Sequence, residues 1–325
     1  MKFFLQFFLF LIVFTGCKNR NVKQPMAEDM ATASEKISGV SLVILGTIQD
    51  AGSPQIGCTK NCCKDLFQHP DNKRMVVSLG IVDALNNKNY LVEATPDFTQ
   101  QTKVLKNHSP FSKKETPDGI FLTHAHIGHY TGLMYLGKEA MNADSIAVYA
   151  MPRMKAYLEQ NGPWSQLVNN KNIALQELQD GKEIKLAKDL RIVPFIVPHR
   201  DEFSETVGYK ITGPNKSALF IPDIDKWEKW NTDIVEAITK VDYAFVDATF
   251  YDAAEINNRD IATIPHPFII ESMLLFKDLP AAEKRKIYFI HFNHTNPVIN
   301  KKSKQYQQVI KNGFNVAEIN SVLRL

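Results

Sequence analysis

The sequence predicts an α/β protein in which two mixed β-sheets pack face to face, with helices on the outside. From Val40 onward, short β-rich segments alternate with helical segments, and the order of strands followed by helices occurs twice. No linker rich in Pro or Gly separates the two halves, so residues 40–325 are expected to form one domain. The chain of 325 residues, 44% hydrophobic and 22% charged, is long and apolar enough for such a core.

The first half contains five predicted strands and three predicted helices. The turn residues 86–89 separate two β-rich segments and indicate a hairpin. The predicted strands are 41–46, 75–82, 89–94, 119–123 and 146–150, and the predicted helices are 97–106, 131–141 and 152–161.

The second half repeats this arrangement. Strands are again short apolar segments, and helices again follow them. The predicted strands are 190–197, 206–212, 218–221, 242–246 and 286–290, and the predicted helices are 226–239, 268–276 and 303–311.

The N-terminal residues are typical of a leader that lies outside the fold. Lys2 precedes the apolar segment 3–14, which is shorter than the roughly 20 residues that a spanning helix needs. Small residues directly before Cys17 resemble a bacterial lipobox, which predicts a lipoprotein signal peptide at 1–16 and a lipidated Cys17. The alternatives are an uncleaved anchor or a plain secretory signal cut nearby. Residues 17–39 are polar and predict a flexible tether. These features predict a cell-envelope lipoprotein that faces the periplasm or the exterior, with the lipid as its only membrane contact.

The charge balance argues against nucleic acid as a partner. Lys and Arg total 38 and Asp and Glu total 35, which gives a formal net charge of +3. Such a charge over this length lacks the concentrated basic surface that binds nucleic acid. The expected partner is a small-molecule substrate, and the sequence leaves the oligomeric state open.

Three cysteines, Cys58, Cys62 and Cys63, lie in one short segment. A bridge between the neighbours Cys62 and Cys63 would be strained. One interpretation is a disulfide between Cys58 and Cys62 or Cys63, with one free thiol. The other is a three-thiolate zinc site completed by a distant histidine.

Three of the nine histidines fall within six positions, as His124, His126 and His129, directly after a predicted strand. In extended backbone, residues i and i+2 point the same way, so His124 and His126 can converge on one ion. His129 comes round from the first turn of the next helix. Because neutral imidazole is the commonest metal ligand, the segment predicts a metal site at this strand end.

This segment resembles the His-x-His-x-Asp-His signature of the metallo-β-lactamase superfamily. Further residues of the superfamily's motifs follow in the expected order along the chain. His199 and Asp223 come after predicted strands, and His291 lies near the C-terminal end of the sequence. The resemblance implies a four-layer αββα sandwich. It also implies one metal held by His124, His126, His199 and Asp223. A second metal would be held by Asp223, His129, His291 and the motif Asp.

Within the superfamily, the chain resembles the family of B proteins of pyrroloquinoline quinone biosynthesis. The matching segments are 45–58, 93–101, 246–250 and 289–297. This resemblance implies a structural zinc at Cys58, Cys62 and Cys63, with His294 as the leading candidate for the fourth ligand. The cysteine spacing differs from the family's usual Cys-x-Cys-x-x-Cys. The predicted export signal also differs from what is expected of the family, because quinone-cofactor assembly is expected inside the cell.

Gly128 stands where the superfamily has its motif Asp. Glycine cannot ligate a metal, so the second position loses an anionic ligand. One expectation is a single-metal site that leaves His129 and His291 as acid–base or substrate groups. The other is that His294 or His266 takes the place of the missing carboxylate.

These features predict a metal-dependent hydrolase of an ester, phosphodiester or related small substrate. Zinc bound by histidines and a carboxylate lowers the pKa of its water from 15.7 to about 7. Asp223 would bind metal and orient that water, and His291 or His129 could protonate the leaving group. The first alternative is an iron-dependent oxidoreductase or hydroxylase related to quinone-cofactor synthesis, because His and carboxylate ligands also suit Fe²⁺. The second is a binding protein that has lost turnover, as Gly128 suggests.

Overall fold

Fourteen strands form two seven-stranded mixed sheets in the part of the chain that the computed structural model describes, residues 37–257 and 259–325. The strands of the first sheet are β1 (Val40–Gly46), β2 (Ser78–Asp83), β3 (Lys88–Val92), β4 (Gly119–Phe121), β5 (Ile146–Ala150), β6 (Ile173–Glu177) and β14 (Val322–Arg324). They lie in the order β14-β1-β2-β3-β4-β5-β6. The pairs from β14 to β3 are antiparallel, and the pairs from β3 to β6 are parallel.

The second sheet has the same division into an antiparallel and a parallel part. Its strands are β7 (Ile184–Ala187), β8 (Leu190–Ile196), β9 (Val207–Thr212), β10 (Ser217–Ile221), β11 (Tyr243–Asp247), β12 (Ile287–Ile290) and β13 (Asn315–Val316). Their order is β13-β12-β11-β10-β9-β8-β7. The pairs from β7 to β10 are antiparallel and those from β10 to β13 are parallel. Parallel strands end at one edge of the sheet, where their following loops meet.

Helices cover the outer faces of both sheets. They are α1 (Phe98–His108), α2 (Ile127–Tyr130), α3 (Pro152–Gln160), α4 (Trp164–Asn169), α5 (Ile234–Thr239), α6 (Ile269–Leu275), α7 (Ala281–Lys284) and α8 (Lys304–Lys311).

Side-chain alternation along β1 shows how the layers form. Leu42 and Ile44 point between the sheets and pack with Phe220 of β10, whereas Val43 and Leu45 point outward to a cluster under α1. This period of two is the signature of a strand buried on both faces. A third cluster lies under α5, α6 and α8 on the outer face of the second sheet. The four layers confirm the predicted αββα sandwich.

Two predicted helices are wrong in extent. The segment predicted as helix 131–141 is a 3₁₀ helix only over Thr131–Leu136, and it ends at Gly137, whose backbone is extended (φ −69°, ψ 172°). The segment predicted as helix 226–239 splits into a 3₁₀ turn at Trp227–Lys229 and α5. The Asp233 side chain accepts from Val235 N at 2.8 Å and starts a new helix there.

The predicted signal peptide at 1–16, the lipidated Cys17 and most of the predicted tether lie outside the described residues. Among the described residues, none of the helices has the length and apolar character needed to cross a bilayer.

Candidate metal centre

The candidate metal centre lies where several strands end on the same side of the sandwich. Ile221, Val246 and Phe289 are in register across β10, β11 and β12, so the residues that follow them come together. Asp223 follows β10 and His291 follows β12. The first sheet contributes the loop after β4, and Val207 N donates to Thr123 O at 3.2 Å, which joins the two sheets beside the site.

His124, His126, His199 and Asp223 form the first ligand group, and their ligand atoms all lie within 4.8 Å of one another. His124 Nε2 is 2.8 Å from His126 Nδ1 and 3.5 Å from Asp223 Oδ2. His199 Nε2 is 3.2 Å from the same oxygen. The structure thus brings together the four residues predicted for the first metal.

The donor atoms of this group fit a divalent ion. Ligand atoms of a tetrahedral zinc ion, each about 2.0–2.2 Å from it, lie roughly 3.3–3.6 Å apart. Of the observed distances of 2.8, 3.2 and 3.5 Å, the longest lies in that range and the other two are shorter. Both ring nitrogens of His199 are buried without a hydrogen-bond partner. Because buried polar atoms are almost always paired, these unpaired nitrogens fit the role of metal ligands.

Polar neighbours orient two of the imidazoles. Thr123 Oγ1 lies 2.8 Å from His124 Nδ1, which leaves Nε2 for a metal. Glu202 Oε2 lies 3.2 Å from His126 Nε2, which leaves Nδ1. Such outer contacts fix the tautomer and angle of a metal-binding histidine.

A second ligand group consists of Asp50, His129 and His291, again with ligand atoms within 4.8 Å of one another. His129 Nε2 is 3.8 Å from Asp223 Oδ2, so Asp223 adjoins both groups. His129 and His291 are fully buried, and their Nε2 atoms lack hydrogen-bond partners. His291 has φ +69°, a left-handed conformation that is uncommon for residues other than glycine.

Asp50 stands in the space that a side chain at position 128 would need. A Cβ atom built on Gly128 would lie 1.8 Å from Asp50 Cβ and 2.4 Å from Asp50 Cα. Asp50, rather than His294 or His266, lies in this space. Asp50 places a carboxylate beside His129 and His291, which the sequence analysis did not expect, and the single-metal site stays a prediction.

His266 belongs to a third group, with Asp223, Asp247 and His291. His266 Nδ1 lies 2.9 Å from Asp247 Oδ2 and 3.2 Å from Asp223 Oδ1. Thr249 Oγ1 donates to Asp247 Oδ1 at 2.7 Å and lies 2.9 Å from His291 Nδ1. Through these contacts, His266 orients Asp223 and Thr249 orients His291.

The charges of these groups compensate one another. Burial acts to raise the pKa of Asp223, but the imidazoles of His199, His266 and His291 outweigh it and hold that pKa well below its usual value. Burial acts to lower the pKa of His129, yet Glu93, Asp50 and Asp223 raise it to about 9. Without a metal, these carboxylates therefore favour the protonated form of His129 at neutral pH.

Burial also lowers the pKa of His124 well below its usual value. A neutral His124 has a free nitrogen lone pair for a metal. For His266, burial acts to lower the pKa, but Asp247 and Asp223 raise it to about 10. These two carboxylates thus favour the protonated form of His266 when no metal is bound, and the ligand role predicted for it stays a prediction.

Cys58, Cys62, Cys63 and His294 form a separate group with ligand atoms within 4.8 Å of one another. The sulfurs of Cys58 and Cys62 are 3.6 Å apart, and all three thiols are free, so the structure has no disulfide here. His294 Nδ1 is buried without a partner. Three sulfurs and one imidazole nitrogen are a donor set of structural zinc sites, so the residues present fit the ion that the sequence predicts.

The first group opens toward solvent on one side. The His126 side chain is 13% exposed, whereas those of His124 and His199 are at most 1% exposed. Glu202 and Phe203 lie exposed on that side. Arg200 is exposed and close enough that its charge contributes to the lowered pKa of His126, behind burial.

The sequence analysis did not identify Asp50, Glu93 or Asp247 as parts of the site. Glu93 Oε2 lies 3.5 Å from His129 Nδ1, and Asp247 pairs with His266. All three follow the end of a strand or close it: β1 for Asp50, β3 for Glu93 and β11 for Asp247. A carboxylate at a strand end was the signal that could have identified Glu93 and Asp247, whereas contacts between distant segments place Asp50.

The sequence matches a known protein superfamily. Residues 88–292 match the model of the beta-lactamase superfamily domain. The chain belongs to the metallo-β-lactamase superfamily. The match includes strands of both sheets and every residue of the first ligand group, as expected for a metallo-β-lactamase sandwich.

Curated relatives within this superfamily include coenzyme PQQ synthesis protein B. The protein from Gluconobacter oxydans (strain 621H) is 24% identical over 310 residues, which cover 88% of this chain and 99% of that protein. The protein from Acinetobacter baylyi (strain ATCC 33305 / BD413 / ADP1) is 23% identical over 283 residues, which cover 80% of this chain and 91% of that protein.

Solved structures share the fold. The Zn²⁺-bound PqqB of Methylobacterium extorquens matches with a TM-score of 0.72 and 22% identity, covering 88% of this chain and 100% of that chain. A diphosphatase from the PhnP family matches with a TM-score of 0.63 and 21% identity, covering 87% and 96%. The metallo-β-lactamase fold of this chain and its His and Asp groups support a bound metal.

Proposed function

We propose that the protein is a metal-dependent hydrolase that cleaves a phosphodiester or a related small ester. The observation that carries this proposal is the pair of adjacent ligand groups that meet at Asp223. Two metal positions sharing a carboxylate are the arrangement that phosphatases and nucleases use to stabilise attacking and leaving oxygens. Membership of a hydrolase-rich superfamily and the fold shared with a diphosphatase agree with it.

A bound divalent ion supplies Lewis acidity and lowers the pKa of a coordinated water toward neutrality. In this proposal His124, His126 and His199 would hold the first ion, and Asp223, which adjoins both ligand groups, would serve both positions. His129 and His291 serve the second position. His129 and His291 could protonate a leaving group, as predicted from the sequence, only if the second position held no metal.

The open side of the first group indicates how a substrate would approach. His126 is its most exposed member, and Arg200 contributes positive charge nearby. An exposed Arg suits a phosphoryl group, because its planar fork pairs with anionic oxygens. Phe203, 60% exposed, offers an apolar surface for the organic part of the substrate.

The test is hydrolysis by protein loaded with zinc or manganese, assayed on bis(4-nitrophenyl) phosphate, on 4-nitrophenyl phosphate and on a carboxylic ester. We expect turnover of the phosphodiester that a chelator abolishes and added metal restores. His124→Ala should lower turnover to the chelator-treated level. His69→Ala is the matched control, because His69 is exposed and outside the ligand groups. Metal-loaded protein inactive on all three substrates would contradict the proposal.

A second candidate is an iron-dependent oxidation. Asp50, His129 and His291 provide two imidazoles and one carboxylate, the ligand set of many non-haem Fe²⁺ oxygenases. Protein purified without oxygen or added metal would then retain iron and consume oxygen when substrate is supplied. Zinc in that preparation favours the hydrolase. The alternative of a binding protein without turnover rested on the missing carboxylate at Gly128. A carboxylate, that of Asp50, lies in the space opposite Gly128, so this reason no longer applies.

We also propose the cell envelope as the location, and this rests on the sequence of residues 1–17 alone. The protein should fractionate with membranes through a lipid on Cys17. Cys17→Ala should release it to the soluble fraction, whereas a variant that stays with the membrane would favour an uncleaved anchor.

A further inference from the structure

We infer that Asp50, from a different segment of the chain, supplies the carboxylate ligand that Gly128 lacks. Asp50 is joined with His129 and His291 in one ligand group, whereas position 128 carries no side chain. The inference rests on the proposed function for the presence of metal, and it concerns which residue completes the second position.

Backbone hydrogen bonds fix the segment of Asp50 beside His291. Phe292 N donates to Thr47 O at 2.8 Å, and Gln49 N donates to Phe292 O at 2.9 Å. Gly52 N then donates to Gln49 O at 2.9 Å and closes a turn with Asp50 near its tip. Gly52 has φ +76°, which favours glycine in that turn. The residue after His291 therefore holds the backbone that carries Asp50.

Asp50 and Gly128 exclude side chains from each other's position. The 1.8 Å and 2.4 Å approaches of a Cβ at 128 to Asp50 Cβ and Cα are far below van der Waals contact. Gly128 does not have the positive φ that would itself require glycine. The close approach of Asp50 thus explains why position 128 is glycine. The carboxylate that the superfamily motif has at position 128 is replaced by the carboxylate of Asp50.

The charge of the second position also calls for Asp50. Without it, a divalent ion would have His129, His291 and a share of Asp223, which the first position also uses. Buried cations need anionic ligands to offset the loss of hydration. Asp50 is half-buried, so its carboxylate both faces the ligand group and borders solvent.

The test measures the zinc bound per chain of the full protein by elemental mass spectrometry after dialysis. Zinc affinity is measured by competition with a chelator. We expect the wild type to hold two ions in the His and Asp groups. Asp50→Asn should retain one ion fewer and bind the second ion about 100-fold or more weakly, since even outer-shell losses cost 10–100-fold. The first ion and the cysteine-bound ion should remain.

Two further variants keep the test decisive. Gly128→Ala adds only a methyl group, yet it should displace Asp50 and cause the same loss of one ion. Asp65→Asn, which removes an exposed carboxylate from the same region, should leave zinc content unchanged. Circular dichroism must show a folded chain for each variant.

The outcomes separate this inference from the proposed function. If Asp50→Asn keeps two ions with unchanged affinity, Asp50 is not a ligand and only the inference fails. A wild type that holds a single ion bound by His124, His126, His199 and Asp223 also overturns the inference, but it leaves a one-metal hydrolase possible. A wild type with no ion in these groups overturns both.

Discussion

Glu93 Oε2 lies 3.5 Å from His129 Nδ1, and both side chains are completely buried. Neither oxygen of Glu93 has a hydrogen-bond partner, and its backbone has φ +76°. A buried carboxylate behind a metal-binding imidazole orients the ring and increases its basicity. Glu93 is therefore a positioning residue for the second ligand group, and its strained backbone is consistent with that role.

The first prediction is that Glu93→Gln weakens zinc binding at the second position about 10–100-fold. The amide keeps the shape but removes the charge that helps raise the pKa of His129. Chelator competition measures the affinity, and NMR titration of metal-free protein measures the His129 pKa, which should fall. Glu115→Gln, at an exposed site, is the control. Unchanged zinc affinity and an unchanged His129 pKa would show that Glu93 has no such role.

The second prediction concerns the cysteine group. Cys62→Ser should lose one zinc ion per chain and unfold at a lower temperature, because a structural zinc contributes directly to folding free energy. Native mass spectrometry and thermal melting are the measurements. Thr59→Ala, exposed in the same segment, should match the wild type. A Cys58–Cys62 disulfide in the purified protein would support the alternative predicted from the cysteine count.

The third prediction is that the cysteine group supports the second metal position. Asp50 and Cys58 lie in one segment, His291 and His294 in another, and the cysteine group joins the two. Cys62→Ser should therefore weaken zinc binding by Asp50, His129 and His291 more than binding by His124, His126, His199 and Asp223. Chelator competition resolves the two affinities. Equal weakening of both would indicate general loosening of the fold.

The fourth prediction is a pH dependence of stability that arises from Glu255. Burial is the largest cause that raises its pKa, to about 7, although Thr295 Oγ1 donates to it at 2.9 Å. A carboxyl whose pKa is raised by folding contributes stability below its unfolded pKa, and this is lost as pH rises through about 7. Glu255→Gln should therefore reduce the fall in melting temperature between about pH 5 and pH 8.

The control for this prediction is Glu177→Gln, an exposed position. It should retain the wild-type dependence on pH. An identical pH profile for Glu255→Gln and the wild type would show that the Glu255 carboxyl titrates normally.

The first ligand group was predicted from the resemblance to the superfamily's ordered motifs. His124 and His126 are two residues apart, and His199 and Asp223 each come after an apolar strand. The grouping of Cys58, Cys62 and Cys63 with His294 was likewise predicted and is present.

Asp50 could not be predicted from local patterns, because its place depends on a contact between distant segments. Gly128 showed that a carboxylate was missing, but only the bonds between Thr47, Gln49 and Phe292 place Asp50 opposite it. The helix predicted over 131–141 ends early at Gly137, where the backbone becomes extended. For Asp50, tertiary contacts decide the position over local preference.

The most direct test of the account is anomalous diffraction at the zinc edge from crystals of the zinc-loaded protein. The account predicts two peaks about 3.5–4 Å apart that share Asp223, each about 2.0–2.2 Å from its ligand atoms. One peak should be bound by His124, His126 and His199, and the other by Asp50, His129 and His291. Zinc found only at the cysteine group, with no peak beside Asp223, would contradict the account.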